Sequence, residues 1–183
     1  MTHEILIGGF GGQGVLSMGM TLAYAGMLEG KEVSWMPSYG PEMRGGTANC
    51  IVILSDRKVS SPIITTFDTV IALNQPSLDK FENAVRPGGL LMYDSTNIIT
   101  PSSRSDIQVV SIPASEEAVK MNNSKITNMI VLGSFVELRN IVAVESLMKA
   151  LKSVLPERYH HLLPLNDRAM RLGMDLVSTV TTP

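Results

Sequence analysis

The stretch Ile5-Leu6-Ile7-Gly8-Gly9-Phe10-Gly11-Gly12-Gln13-Gly14 decides the fold, because an apolar run passes directly into a glycine-rich turn. The apolar segment Val15 to Leu28 follows at once and predicts a helix with most of its sides covered. Glycines let the backbone bend sharply, take positive φ and bring free amides close to an anionic or polar group. A strand, a glycine turn and a helix in this order predict the opening unit of a Rossmann-like α/β fold.

The spacing of Gly9, Gly11 and Gly14 matches the G-x-G-x-x-G pattern of dinucleotide-binding turns. Such sites also use an acid about 20 residues further on, which holds a ribose hydroxyl. That window contains Ser34-Trp35-Met36 and no acid. The turn therefore has the spacing of a dinucleotide site but lacks the residue that selects the dinucleotide.

Length and composition exclude several classes of protein. The 183 residues fit one domain, 1–183, and the formal charge of -2 without a basic stripe argues against a nucleic-acid partner. Cys50 is the only cysteine, which excludes an internal disulfide and any cluster held by four thiolates of this chain. The chain enters a strand without a signal-like segment, and glycines interrupt its longest charge-free stretch. We therefore expect a cytoplasmic protein that does not contact a membrane.

Strand and helix patterns alternate along the chain. Five further strands are predicted, at Glu32 to Met36, Asn49 to Leu54, Thr69 to Leu73, Leu90 to Tyr93 and Ile107 to Ile112. Helices are predicted after Pro76 and over Ala114 to Met121. From Lys125 onward the pattern is helical, and Asn166-Asp167 is expected to cap the last helix. These patterns predict a doubly wound sheet with helices on both faces and a helical C-terminal segment.

The segment Pro37 to Gly46 is rich in proline and glycine and is predicted to be a shaped loop. Its side chains Tyr39, Glu42 and Arg44 suggest an interface or a ligand-gripping loop, since Arg44 can fork onto a carboxylate or phosphate. A structural salt bridge between Glu42 and Arg44 is the alternative. Asn74 and Asp94 follow predicted strands, so each either lines the rim of the sheet or merely caps a helix or turn.

Candidate catalytic side chains are few. His3, His160 and His161 are the only histidines, and they are expected to be solvated or to cap backbone groups. Cys50 lies in a mostly apolar strand and is expected to be a buried hydrophobe instead of a nucleophile. We expect neither catalytic residues nor a metal site in this chain.

Two long motifs carry a resemblance to a known family: Gly9-Phe10-Gly11-Gly12-Gln13-Gly14, and Ser38 to Cys50. With Asn74 to Phe81, Pro87-Gly88-Gly89 and Asn128-Met129, they make nearly the full chain similar to the gamma subunit or domain of 2-oxoacid:ferredoxin oxidoreductases. The run Glu42 to Asn49 is more similar to the groups that act on 2-oxoglutarate and branched-chain 2-oxoacids, such as 2-ketoisovalerate, than to the pyruvate group.

The resemblance implies a thiamine diphosphate enzyme that oxidatively decarboxylates a 2-oxoacid, with 2-oxoglutarate the expected substrate. Electrons would pass through iron-sulfur clusters to ferredoxin, and the acyl group would form a thioester with coenzyme A. In the family, thiamine diphosphate, Mg and the clusters belong to the alpha, beta and ferredoxin-like delta subunits. This chain would bind no cofactor by itself and would be inactive alone.

The resemblance implies that the glycine turn Gly8 to Gly14 and the loop Tyr39 to Gly46 contact coenzyme A or the partner subunits. The candidate coenzyme A or partner contacts are Gly9, Gly11, Gly12, Gln13, Gly14 and Arg44, and the candidate interface residues are Tyr39, Glu42, Arg44 and Asn74. Two alternatives stay open: a stand-alone Rossmann protein that binds NAD or FAD, and a purely structural subunit whose turn a partner fills.

Overall fold

A computed structural model describes residues 1–39, 46–59 and 64–178. The strands are β1 (Thr2–Phe10), β2 (Glu32–Tyr39), β3 (Thr47–Ser55), β4 (Phe67–Ala72), β5 (Val85–Asp94) and β6 (Gln108–Ile112). The α-helices are α1 (Val15–Leu28), α2 (Gln75–Phe81), α3 (Ala114–Lys120), α4 (Thr127–Arg139), α5 (Val144–Val154) and α6 (Leu163–Ser178). Short 3₁₀ turns cover Glu82–Ala84, Ser95–Asn97, Ser124–Ile126 and Glu157–Leu162.

The strands form one mixed sheet in the order β2-β3-β1-β4-β5-β6. β1, β4, β5 and β6 are parallel, whereas β3 runs antiparallel to both of its neighbours, β1 and β2. The predicted α/β class and the helical C-terminal segment are confirmed. The antiparallel β3 was not predicted, because the direction of pairing leaves no mark in the local apolar pattern.

Helices cover both faces of the sheet, but unequally. On one face, Ile5 and Ile7 of β1 join a large apolar core with residues of α1, α3, α4, α5 and α6. On the other face, Leu6 joins a smaller core with α2, through Leu78. Because side chains alternate along a strand, neighbouring residues of β1 belong to different cores. Within the described residues, no helix is long and apolar enough to cross a membrane.

The structure corrects the start of the predicted loop at Pro37 to Gly46, and residues 40–45 of that loop lie outside the described residues. Pro37 pairs with Cys50, and β2 continues to Tyr39. Among the described residues β2 pairs with β3 alone, and edge strands are the places where a sheet tolerates proline.

Two boundaries also differ from the predictions. The last helix begins at Leu163, not at Asn166, since Pro164 is accepted in a first helical turn. The side chain of Asn166 then donates to the Leu162 carbonyl at 2.8 Å from inside the helix. The strand predicted to begin at Leu90 begins at Val85, so Pro87-Gly88-Gly89 lies within β5, where the pairing with β4 shifts register.

Candidate functional site at the glycine turn

The glycine turn connects the end of β1 to the start of α1. Gly14 precedes the helix with φ 76° and ψ 21°, a left-handed conformation that side chains disfavour. A Cβ at this position would lie 2.3 Å from Nδ2 of Asn128, whose side chain donates to the Gly14 carbonyl at 3.3 Å. Glycine is therefore required at position 14 by both backbone conformation and space.

Gln13 closes the side of the turn that faces β4. Its Oε1 accepts from the Phe10 amide at 2.6 Å and from Asn74 Nδ2 at 3.3 Å. Its Nε2 donates to the Leu73 carbonyl at 3.1 Å. A Cβ on Gly9 would lie 2.7 Å from Gln13 Oε1, so the glycine makes room for this side chain. Gln13, a predicted ligand contact, thus has its polar atoms engaged within the chain.

Asn74 and Asp94 follow β4 and β5 on the same rim. Asn74 is buried, and its Oδ1 accepts from the Ser77 amide at 2.9 Å, which caps α2. Asp94 is also buried and accepts from the Thr96 amide at 3.1 Å and the Ser115 amide at 3.2 Å. For both residues the structure supports the capping alternative over a free polar group on the rim.

A cavity of about 310 Å³ opens on the other side of the turn. Its walls are the turn itself, the first turn of α1, and residues 46–48 where β3 begins. The Gly11 amide donates to the Gly46 carbonyl at 3.0 Å and holds the two walls together. This volume is at the lower end for small-molecule pockets, so it suits part of a ligand better than a whole dinucleotide.

The cavity faces hydrogen-bond donors at the start of α1. The helix has no side-chain cap, and the amides of Val15, Leu16 and Ser17 have no acceptor among the described residues. Unpaired amides and the positive end of the helix dipole favour an anionic group. The described wall contains no charged side chain, so its polar groups are backbone atoms and the hydroxyls of Ser17 and Thr47.

The sheet order argues against a resident dinucleotide. In the Rossmann arrangement the strand after the first helix lies beside β1, and its end carries the acid that holds the ribose. Here β3 lies between β1 and β2, and residues 46–48 form the cavity wall at that position. Ser34-Trp35-Met36 therefore lie on a strand that does not border the turn.

The other predicted site residues are less informative. Tyr39 ends β2, but its side chain lies outside the described residues, as do Glu42 and Arg44 entirely. His3 lies at the amino end of β1, away from the turn, and partial burial lowers its pKa. His160 caps the Leu155 carbonyl at 2.9 Å. Among the described residues, no group of three or more His, Cys, Asp or Glu is placed to hold a metal ion.

Comparison with known proteins identifies relatives along nearly the whole chain. Residues 4–176 match the family model described as pyruvate ferredoxin/flavodoxin oxidoreductase. A ketoisovalerate oxidoreductase subunit VorA from Methanothermobacter thermautotrophicus is 41% identical over 94% of this chain. The chain spans only 36% of the length of that relative.

Two solved structures extend the comparison. The gamma subunit of a keto/oxoacid ferredoxin oxidoreductase from Geobacter sulfurreducens is 29% identical, with a TM-score of 0.83 over 98% of both chains. A 2-oxoglutarate:ferredoxin oxidoreductase from Magnetococcus marinus, with 2-oxoglutarate, coenzyme A and succinyl-CoA bound, is 27% identical. It matches 100% of this chain with a TM-score of 0.91, but the match covers 32% of its own chain. These matches confirm the resemblance seen in the sequence motifs.

Proposed function

We propose that this chain, which belongs to the pyruvate ferredoxin/flavodoxin oxidoreductase family, acts as the gamma subunit of a coenzyme A-dependent 2-oxoacid:ferredoxin oxidoreductase. In the proposed reaction a 2-oxoacid loses CO₂ and two electrons, the electrons reduce ferredoxin, and the acyl group forms a thioester with coenzyme A. The observation that carries the proposal is the full-length match to one third of the Magnetococcus polypeptide, whose structure contains 2-oxoglutarate, coenzyme A and succinyl-CoA.

The partners in this proposal are alpha, beta and ferredoxin-like delta subunits. They would hold thiamine diphosphate, Mg and iron-sulfur clusters, which supply the decarboxylation and electron-transfer chemistry. Cys50 does not take part, because it is buried and burial raises the pKa of its thiol to about 12. We propose 2-oxoglutarate as the substrate, and 2-ketoisovalerate as the second candidate because of the 41% identity to VorA.

The contribution of this chain, in our proposal, is to hold part of coenzyme A. The cavity beside the glycine turn presents the amides of Val15, Leu16 and Ser17, which suit a phosphate or the polar backbone of the pantetheine arm. Gly11 and Gly12 are exposed there, and the absence of side chains lets a ligand approach the backbone closely. Arg44 would add a cationic contact, and Tyr39 and Glu42 would contact partner subunits.

A variant that fills the cavity tests this role. Thr47 is exposed on the cavity wall, so Thr47→Trp should place its ring in the cavity without disturbing the core. In the complex reconstituted with the thiamine-bearing subunits, we expect the KM for coenzyme A to rise about tenfold, the equivalent of one lost contact of roughly 1.4 kcal/mol. The KM for 2-oxoglutarate should not change. The measurement is 2-oxoacid-dependent reduction of ferredoxin at varied coenzyme A concentration.

The matched control is Gln108→Trp, which adds the same ring to an exposed position at the start of β6, on the opposite edge of the sheet. It should leave both KM values unchanged. If Thr47→Trp assembles normally and its KM for coenzyme A equals that of the wild type, the cavity does not hold coenzyme A. If the wild-type complex does not reduce ferredoxin with any 2-oxoacid, the proposed function itself is wrong.

A further inference from the structure

The helix α1 lacks the polar outer face that surface helices normally have. Its 14 residues, from Val15 to Leu28, include no Asp, Glu, Lys or Arg. On α5, which packs against α1, the exposed positions include Glu145, Lys149 and Lys152. A helix that is apolar on all sides is normally buried on all sides.

Nevertheless, one side of α1 is open to solvent in this chain. Tyr24, Met27 and Leu28 are 45%, 59% and 57% exposed. We call these three residues the outer face of α1. They are neighbours on the helix surface, since residues three and four positions apart lie on the same side. A contiguous exposed apolar patch of this kind marks an interaction surface.

The opposite side of α1 carries glycines where it meets the sheet. A Cβ on Gly19 would lie 2.4 Å from Cys50 Sγ, and a Cβ on Gly26 would lie 2.5 Å from Leu54 Cδ2. Met18 and Leu22 lie on the same side of the helix, and both are fully buried in the apolar core. The side of α1 that faces the sheet is therefore already packed, and the outer face lies outside that core. Burying the outer face requires a surface beyond the described residues of this chain.

We propose that the outer face of α1 docks onto an apolar surface of the subunit that corresponds to the rest of the longer relatives, VorA and the Magnetococcus polypeptide, here called the larger subunit. The choice of partner rests on the lengths of two relatives. This chain corresponds to 32% of the Magnetococcus polypeptide and 36% of VorA, so about two thirds of each relative is joined covalently to the counterpart of this chain. Where those parts are separate polypeptides, apolar burial must hold them together. The inference rests on the proposed function, because it takes the partner from that assembly.

Substitutions at the end of α1 test the docking surface. Met27→Lys and Leu28→Lys together put two charges on the outer face, and cations near a helix C-terminus do not oppose the helix dipole. Both side chains are already exposed, so we expect the circular dichroism spectrum and the melting temperature of the isolated chain to stay near those of the wild type. Affinity for the larger subunit, measured by isothermal titration calorimetry, should fall at least about 30-fold, as for two lost contacts of roughly 1 kcal/mol each.

The matched control is Val119→Lys, since Val119 is 64% exposed near the end of α3, on a different helix. It should leave the affinity unchanged. Equal affinity for the wild type and the α1 double variant would overturn the proposal. So would an isolated wild-type dimer that the double variant converts to a monomer while assembly with the larger subunit continues, because the outer face would then contact a second copy. If the wild-type chain does not bind any such subunit, the proposed function is wrong as well.

Discussion

The glycine turn after β1 and the Asp94 turn after β5 lie on the same rim of the sheet but satisfy their hydrogen bonds differently. At the Asp94 turn, one buried carboxylate accepts from the amides of Thr96 and Ser115, from Asn97 Nδ2 at 2.9 Å and from the Ser115 hydroxyl. These donors match the acceptor capacity of a carboxylate. At the glycine turn, amides at the start of α1 have no acceptor among the described residues and face a cavity.

The two turns show the difference between polar groups that already make hydrogen bonds within the chain and polar groups that are available to a ligand. Asp94 is the more polar residue, but its hydrogen bonds are already made with its own chain. The glycine turn carries no ionisable group, but it leaves donors beside an open space. On this rim, a candidate ligand contact is therefore better identified by unmet hydrogen-bonding capacity than by residue type.

Removing the Asp94 carboxylate should produce the largest effect. In Asp94→Ala, donors from Thr96, Asn97 and Ser115 lose the buried carboxylate that accepts their hydrogen bonds at this turn, so we expect the free energy of unfolding to fall by about 3 kcal/mol or more. Urea denaturation followed by circular dichroism measures the change. The control is Asp106→Ala, which removes an exposed carboxylate paired with Arg104 and should change stability little. Similar losses in the two variants would show that the Asp94 network is not structural.

Adding methyl groups within the glycine turn should have a smaller effect. Gly9→Ala would place Cβ 2.7 Å from Gln13 Oε1 and 2.8 Å from Val15 Cγ2, so we expect a loss of about 2 kcal/mol through overpacking. Gly12→Ala meets nothing within 4 Å and should cost only about 1 kcal/mol, through its φ of 95°. Urea denaturation of both variants gives the comparison.

A double variant identifies the cause of the Gly9 effect. If the methyl group acts by displacing the Gln13 side chain, Gly9→Ala combined with Gln13→Ala should cost less than the sum of the single losses. An additive result, or a Gly12→Ala loss as large as that of Gly9→Ala, would mean that Gln13 does not fill the space beside Gly9.

The sequence predicted local elements well and long-range contacts poorly. The bounds of α1, Val15–Leu28, match the prediction, because a glycine turn and an uninterrupted apolar pattern define a helix locally. The extension of β2 to Tyr39 was missed, since proline at an edge strand has the same local pattern as proline in a loop.

At the candidate site, too, local features were predicted from the sequence and long-range contacts were not. The position of the glycine turn was visible in the sequence, and the burial of Cys50 is confirmed. The role of Gln13 was not visible, because its partners Leu73 and Asn74 are 60 and 61 residues away. The insertion of β3 beside β1, which forms the cavity wall, depends on strand pairing that a single sequence does not reveal.

Cys50 lies beneath the glycine-turn end of α1, where its thiol approaches the Val15 carbonyl at 3.6 Å. Burial raises the pKa of this thiol from 9.0 to about 12. Trp35 Nε1 opposes that shift, although its contact with the sulfur falls outside hydrogen-bond geometry. Because the folded pKa exceeds the unfolded pKa, this stabilising contribution is complete below pH 9 and declines as the pH rises toward 12.

Ionisation of the Cys50 thiol should therefore change the free energy of unfolding less than the substitutions at Asp94 and Gly9 do. Between pH 8 and pH 10 the wild type should lose about 1 kcal/mol more unfolding free energy than Cys50→Ala, which has no thiol to titrate. Urea denaturation at the two pH values measures both slopes, and comparing them cancels the titration of lysines and tyrosines. The cavity left by Cys50→Ala lowers stability at both pH values and leaves the difference intact. Parallel slopes would mean that the thiol ionises in the folded chain, so water would have to reach the space beneath α1.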